Sequence, residues 1–320
     1  MKTTTTAVVL EQPGTLALHH LDLADPADTD VVVDVEWSGI STGTEKLLWS
    51  GRMPTFPGMG YPLVPGYEAV GRVREAGRAS GLRVGERVFA PGAHCFGGGV
   101  RGLFGASASC LVLPGARAVP VAETLGERAV LLALAATAYH AVAWGGRRQP
   151  LVPPELIVGH GVLGRLLARM VVAAGLPPPT VWEICPERQD AAAGYAVLHP
   201  DDDPRRDYRA VVDMSGDAGI LDRLIGRLAP GGEIVLAGFY DRPLSFAFPP
   251  AFMREAQIRV AAEWKPADMK AVCHLAETGA LSLDGLITHH AEASEAERAY
   301  RTAFGDNRCL KMVLDWRATA

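Results

Sequence analysis

Three glycines spaced G-x-G-x-x-G, Gly159, Gly161 and Gly164, punctuate the segment 154–183, PELIVGHGVLGRLLARMVVAAGLPPPTVWE. His160 separates the first two, and Val162 and Leu163 precede the third. The chemistry this spacing offers is phosphate binding. Gly159 allows a tight turn out of a strand, Gly161 lets an anion approach the backbone, and Gly164 lets a helix pack against the strand. The first turn of that helix presents free N–H groups and the positive end of its dipole. Residues 159–164 thus read as the cradle for a dinucleotide pyrophosphate. Here only the backbone of His160 is expected to matter, its side chain pointing outward. Glu183 stands 19 residues beyond Gly164, close to the ~20 expected of the carboxylate that receives the adenosine ribose hydroxyls. A carboxylate there repels a 2′-phosphate, so the pattern favours NAD over NADP; Arg188, just beyond, pulls the other way.

The elements needed to hold such a cradle are legible around it. An apolar run, PELIV, precedes the turn, a helical stretch follows as far as Gly175, and Thr180–Glu183 reads as a second strand. Further strands are expected at 208–215, 231–240 and 258–264, with helices at 218–230 and 266–279. Near-continuous apolar strands alternating with helices imply a parallel sheet covered on both faces. The first 120 or so residues differ. Short strands (7–10, 16–18, 31–41, 66–77, 81–90, 110–114) alternate with glycine and proline turns, as in a barrel-like β-module. Residues 124–144 read as helix, and CLKMVLDW, 309–316, as a closing strand. Two domains are expected, 1–123 with 280–320 returning to it, and 124–279.

Composition narrows the function. The 320-residue chain is 48% hydrophobic and 21% charged, with net charge −5. With no basic excess, nucleic acid is not an expected partner. The longest apolar stretch, Leu131–Trp144, is interrupted by Thr137, Tyr139 and His140 and falls short of the ~20 residues a membrane span requires. The N-terminal MKTTTTAVVL has no apolar leader pattern, so a cytoplasmic location is expected. The five cysteines form no C-x-x-C pair, and neither a disulfide framework nor a structural zinc cluster is indicated.

GYEAVGRVREAG, RVGERV, LIVGHGVLG, VVDMSG, APGGEIVLAG and the closing LITHHAEASEAERAYRTAF and KMVLDW together resemble the medium-chain dehydrogenase/reductase superfamily. The resemblance implies an α/β fold, a GroES-like β-barrel module joined to a Rossmann doubly wound parallel sheet, with NAD as cofactor and a homodimer, often formed through the last Rossmann strand. More narrowly, SGISTGTEKLLWSGRMPTFPGMGYPLVPGYEAVGRV is similar to the bacteriochlorophyllide a dehydrogenase family. That likeness implies NAD-linked oxidation of the 3-(1-hydroxyethyl) group of a bacteriochlorophyllide to 3-acetyl. A zinc-free quinone or enoyl reductase and a non-catalytic pigment-binding protein are the competing readings.

The chain departs from the zinc enzymes of the superfamily at all three catalytic-zinc positions, which read Ser41 or Thr42, Tyr67 and Ala133. Hydroxyls and a methyl are not zinc ligands, so no metal is expected; the competing site would be rebuilt from His94, Cys95 and Glu68. Without zinc, a side chain must take the hydroxyl proton as hydride leaves. The candidates are Tyr67, Glu45, Glu68 and His94. Packing offers another role to each of three: Tyr67 as a buried aromatic, Glu68 as a structural carboxylate paired with an arginine, His94 as a loop residue. His140 reads as a core histidine with a partner and His289-His290 as solvated. A chlorin is a flat apolar plate with one propionate, which calls for an apolar slot and a cation. Trp49, Met53, Phe56, Met59 and Tyr61, in or beside the irregular 50–66 segment, either line such a slot or fill a small core. Arg52 or Arg101 would meet the carboxylate.

Overall fold

A computed structural model describes residues 3–143, 153–190 and 194–319. The chain divides into two compact units, Met1–Ala133 with Asp284–Ala320, and Leu134–Leu283.

In the first unit, β1 (Thr4–Gln12) and β2 (Thr15–Asp22) form a hairpin around Pro13-Gly14, where Gly14 takes the left-handed φ of 75° that the turn requires. β3 (Asp30–Ile40) is followed by the short helix α1 (Thr44–Trp49). Then come β4 (Leu63–Val64), β5 (Ala69–Ala76), β6 (Arg87–Ala90), β7 (Arg101–Gly102), β8 (Cys110–Pro114) and β9 (Val119–Pro120). β3 is the organising strand: β5 and β8 both pair with it antiparallel. Consecutive residues of these strands, Val31, Val32 and Val33 on β3 and Leu111, Val112 and Leu113 on β8, are buried in one apolar core.

The segment Glu123–Leu131, expected as regular helix, is instead 3-10, broken by Gly126 at φ 53°. It belongs to the first unit because the guanidinium of Arg72 on β5 grips the Glu123 carboxylate through two bonds of 2.8 Å and the Arg87 guanidinium on β6 forms an ion pair with it at 3.1 Å. The division expected at 123 therefore falls after 133. Regular helix begins only at α2 (Leu132–Ala143); Trp144, the expected end of this stretch, lies outside the described residues.

The second unit is built on six parallel strands. These are β10 (Leu156–Val158), β11 (Thr180–Trp182), β12 (Ala196–Leu198), β13 (Tyr208–Asp213), β14 (Leu228–Leu236) and β15 (Gln257–Val260). Their order across the sheet is β12-β11-β10-β13-β14-β15, all parallel. The chain starts in the middle, works out to one edge and returns to the other side of β10. This is the doubly wound order, with its reversal between β10 and β13. The connecting helices are α3 (Val162–Ala173), α4 (Leu221–Ile225), α5 (Phe248–Met253) and α6 (Pro266–Glu277). Where a long helix was read at 218–230, α4 is short and the following strand starts early, at Leu228. Asp268 caps α6 and accepts a 2.7 Å bond from buried His140 on α2, the partner expected of a core histidine.

After residue 283 the chain rejoins the first unit. β16 (His289–Glu292) lies parallel to β17 (Met312–Asp315), with α7 (Ala296–Gly305) between them. β17 pairs antiparallel with β3, placing Met312 opposite Ile40 and Asp315 opposite Trp37. His290 bonds the Glu127 carboxylate at 3.0 Å. Among the described residues no helix is long and apolar enough to cross a membrane.

Candidate functional site

In the second unit the glycine turn lies at the strand-order reversal. Gly159 adopts φ 98°, and a Cβ there would come within 3.3 Å of the Met214 backbone. A Cβ on Gly164 would sit 1.9 Å from the Gly159 carbonyl oxygen, so α3 packs against the turn as closely as glycine permits. Gly161 is different: a Cβ there would meet nothing within 4 Å. The chain itself imposes no steric demand at that position, and the open space lies at the N-terminus of α3, which has no side-chain cap. These residues fit a pyrophosphate held by backbone N–H groups.

Glu183 follows the end of β11 and is buried. Its Oε2 accepts from the His160 backbone N–H at 2.9 Å and its Oε1 from that of Cys185 at 2.8 Å. The carboxylate is thus fixed beside the glycine turn with lone pairs to spare. The His160 ring does not point outward. It is fully buried, with Nδ1 2.5 Å from the Arg188 carbonyl oxygen and Nε2 2.9 Å from the Tyr195 hydroxyl. A carbonyl can only accept, so Nδ1 carries the proton and Nε2 accepts from Tyr195. Burial lowers the imidazole pKa in keeping with this neutral form. Buried Arg165, on α3, donates to both the His160 and Arg188 carbonyls, at 3.0 and 3.1 Å. The expectation of an outward ring failed because a histidine in a glycine turn gives no local sign that a loop some 30 residues on supplies its partners.

In the first unit the candidate acid–base residues gather around the end of β3. The Tyr67 and Ser41 hydroxyls are 2.6 Å apart, and Phe104 packs edge-on against the Tyr67 ring, with centroids 5.6 Å apart. Burial, with the Glu68 and Glu45 carboxylates adding to it, pushes the Tyr67 phenol far above its ordinary value. It stays protonated and acts as a donor, or passes a proton only as it receives one. Glu45, on α1, is fully buried. Its Oε1 accepts from the Ser41 backbone N–H at 2.9 Å, and its Oε2 from the Tyr300 hydroxyl at 2.7 Å, itself 3.1 Å from the Ser107 hydroxyl. Desolvation outweighs these bonds and raises the Glu45 pKa to about 7.

Glu68 is paired, but with a lysine rather than the arginine expected. Lys311 Nζ lies 2.9 and 2.6 Å from its two oxygens and 3.2 Å from the Ile40 carbonyl. Both side chains are buried, and Gly39 makes room for the pair, since a Cβ there would lie 2.1 Å from Glu68 Oε2. His94 is exposed, whereas Cys95 is buried with its sulfur 3.5 Å from the Val112 backbone nitrogen. Among the described residues no group of three His, Cys, Asp or Glu side chains is placed to hold a metal ion. Tyr300 and Lys311 escaped sequence reasoning because each reaches its carboxylate from an element more than 240 residues away.

Of the apolar residues assigned to a slot, Met53 is buried in the core, only 6% exposed, so packing occupies it. Trp49, Phe56, Met59 and Tyr61 are half-buried against the same core. The Trp49 ring packs against Phe304, with centroids 6.1 Å apart, and the Arg301 Cζ stands over it, 5.6 Å from its centroid. The Tyr61 hydroxyl donates to the Leu48 carbonyl at 2.5 Å. Arg52 and Arg101 are exposed, and Arg101 donates to the Met59 carbonyl at 3.1 Å.

The alcohol dehydrogenase GroES-like domain family matches residues 27–123. A Cereibacter sphaeroides protein named 2-desacetyl-2-hydroxyethyl bacteriochlorophyllide A dehydrogenase is 58% identical over 320 residues, covering 99% of each chain. The chain belongs to the bacteriochlorophyllide a dehydrogenase family. The Rhodobacter capsulatus member, of the same name, is 56% identical over 313 residues and 98% of each chain. An E. coli CFT073 alcohol dehydrogenase structure, complexed with NADH, superposes with a TM-score of 0.81 at 20% identity, covering 98% of this chain and 99% of that one. The chain thus joins a GroES-like module to a doubly wound parallel sheet, and it is an oxidoreductase of alcohol dehydrogenase type.

Proposed function

We propose that this chain oxidises the 3-(1-hydroxyethyl) group of a bacteriochlorophyllide to 3-acetyl, with NAD as acceptor and without catalytic zinc. The observation that carries the substrate is the 58% identity over 99% of the chain to a relative bearing that substrate in its name. For the cofactor, the support is the cradle of Gly159, Gly161 and Gly164 together with the Glu183 carboxylate. When bound, the nicotinamide ring accepts the hydride. The backbone of residues 161–164 holds the pyrophosphate, and Glu183 receives ribose hydroxyls and repels a 2′-phosphate.

For chemistry without zinc, the support is the Tyr67–Ser41 hydroxyl pair at positions where zinc enzymes keep ligands. Tyr67, held neutral, hydrogen-bonds the substrate oxygen. As the carbonyl forms, the alcohol proton enters this hydroxyl pair, and Glu45, with its pKa near 7, is the neighbouring carboxylate able to carry it at neutral pH. Trp49, Phe56, Met59 and Tyr61 would face the macrocycle, and Arg52 or Arg101 its propionate. If Arg52→Ala and Arg101→Ala each bind the free acid and its methyl ester as the wild type does, the propionate assignment is wrong.

A cytoplasmic homodimer completes the proposal. β15 is an edge strand with Val260 70% exposed, and Phe248, Phe252 and Met253 of α5 are exposed alongside, the kind of edge that invites pairing. Light scattering should give twice the chain mass for the wild type and the chain mass for Val260→Arg; a monomeric wild type rules the dimer out.

The deciding experiment incubates the 3-hydroxyethyl pigment with NAD and then NADP, following the pigment's long-wavelength band and NAD(P)H formation. A red shift with NAD is expected. A preference for NADP would refute the role given to Glu183, and no change with either would refute the substrate. Full activity after exhaustive dialysis and chelator treatment is expected; about one tightly held zinc per active chain, with activity lost on its removal, would refute the zinc-free chemistry.

A further inference from the structure

Asp213 is a fully buried carboxylate at the reversal point of the parallel sheet, and neither the glycine cradle nor the acid–base cluster uses it. It ends β13, in register with Val158, which ends β10, and with Leu236, which ends β14. The next residue, Met214, donates from its backbone to the Val158 carbonyl at 2.9 Å, so the segment after β13 touches the start of the glycine turn.

The carboxylate joins two loops. Its Oδ1 accepts from the Ser215 backbone N–H at 2.9 Å and from the Ser215 hydroxyl at 2.7 Å. Its Oδ2 accepts from the Tyr240 hydroxyl at 2.7 Å, and Tyr240 lies in the loop after β14. The backbones reinforce the link, since the Ala237 and Gly238 N–H groups donate to the Asp213 carbonyl at 2.9 and 3.0 Å. A Cβ on Gly238 would stand 2.9 Å from the Gly216 nitrogen, and one on Gly216 3.0 Å from the Phe239 carbonyl oxygen. Segments 214–216 and 238–240 therefore interlock at glycine-only distance, with one carboxylate between them.

A carboxylate is an expensive way to pack the end of a strand. Burying it costs free energy that hydrogen bonds only partly return, and an apolar side chain would fill the space at less cost. Its position suggests what is gained. A doubly wound sheet binds one mononucleotide with each half, across the reversal point and outside the carboxyl ends of the strands. The half formed by β10, β11 and β12 carries the glycine turn and Glu183, which suit the adenosine side. The loops after β13 and β14 are the corresponding loops of the other half.

We propose that Asp213 and Tyr240 are positioning residues for the nicotinamide half of the cofactor, locking segments 214–216 and 238–240 into the shape that receives it. This rests on the dinucleotide reading of the glycine turn. The experiment compares two ligands differing only at the end in question, NADH and ADP-ribose, which lacks the nicotinamide, on wild type, Tyr240→Phe and Asp213→Asn. Titration calorimetry serves for both. A hydrogen bond to a charged group is worth about ten- to a hundredfold in an equilibrium constant. Tyr240→Phe, which keeps the ring, should weaken NADH about tenfold while ADP-ribose stays within about twofold, and Asp213→Asn should show the same selectivity. Unchanged NADH affinity in Tyr240→Phe overturns the proposal. Equal loss of both ligands also overturns it, because general loosening of the unit would produce that. A wild type that binds neither ligand overturns the dinucleotide reading itself, and this proposal with it.

Discussion

Glu45 offers a test in which magnitude and sign are both fixed by its surroundings. Desolvation raises its pKa from the ordinary 4.5 to about 7 in the folded chain. The folded state therefore holds a proton that the unfolded state releases at lower pH. Because the folded value is the higher one, the stability contributed by protonated Glu45 is complete below about 4.5 and is lost as pH rises through about 7. At about 1.4 kcal/mol per pH unit, that interval amounts to about 3 kcal/mol. Glu45→Gln removes the titration while keeping the shape. Whatever the amide costs against the Tyr300 hydroxyl and the Ser41 N–H, it costs at every pH, and the Glu68–Lys311 pair is present in both proteins. The measurement is urea unfolding of wild type and Glu45→Gln at pH 4.5 and pH 8. Between those values the wild type should lose about 3 kcal/mol relative to the variant. Parallel stability profiles would refute the reasoning and show that Glu45 titrates in the folded protein as it does in the unfolded chain.

The same substitution should remove the rise in hydroxyethyl oxidation as pH passes through about 7, because only ionised Glu45 can accept the proton; an unchanged pH–rate profile excludes it from the chemistry. Gly161→Ala should leave thermal stability near wild type, since its Cβ meets nothing, yet weaken NADH binding at least tenfold in a fluorescence titration, whereas Gly164→Ala, with its Cβ 1.9 Å from a carbonyl oxygen, should lower the melting temperature by several degrees. Equal stability of the two alanine variants would contradict the packing described. Lys311→Met leaves Glu68 buried without its cation and should cost about 3–5 kcal/mol in denaturant unfolding, with part recovered in Lys311→Met/Glu68→Gln; a cost below about 1 kcal/mol would mean that the pair contributes little.

What could be read from the sequence was what short-range pattern encodes. The glycine turn, the apolar strands of the parallel sheet and the return of the 309–316 segment each leave a local signature, because strand burial shows as continuous apolar residues and tight turns show as glycine. Glu45, Tyr67 and Glu68 could be singled out as chemically able, but their states could not be read. Those depend on Tyr300 and Lys311, brought in by α7 and by the residue just before β17, and no periodicity links positions 45 and 300. The His160 ring was misplaced for the same reason, its partners being Arg188 and Tyr195. The 123–131 segment was misread because its composition suits a helix while Gly126 leaves the helical region altogether. Asp213 gave no sign at all. In VVDMSG it looks like the polar end of a strand, and only the register with Val158 and the reach of Tyr240 reveal its position.

The pairing of β17 with β3 also bears on the order in which the chain can be made into a protein. The second unit is one uninterrupted stretch, 134–283, and all its strands exist once that stretch has been synthesised. The first unit is not: residues 1–133 wait for 284–320. Until Lys311 emerges, Glu68 has no cation to accompany it into the interior, and until Tyr300 emerges, Glu45 lacks one of its two donors. The module translated first is therefore the one finished last, and through the interval the Trp37–Ile40 end of β3, which β17 later covers, offers an unoccupied edge to whatever strand it meets.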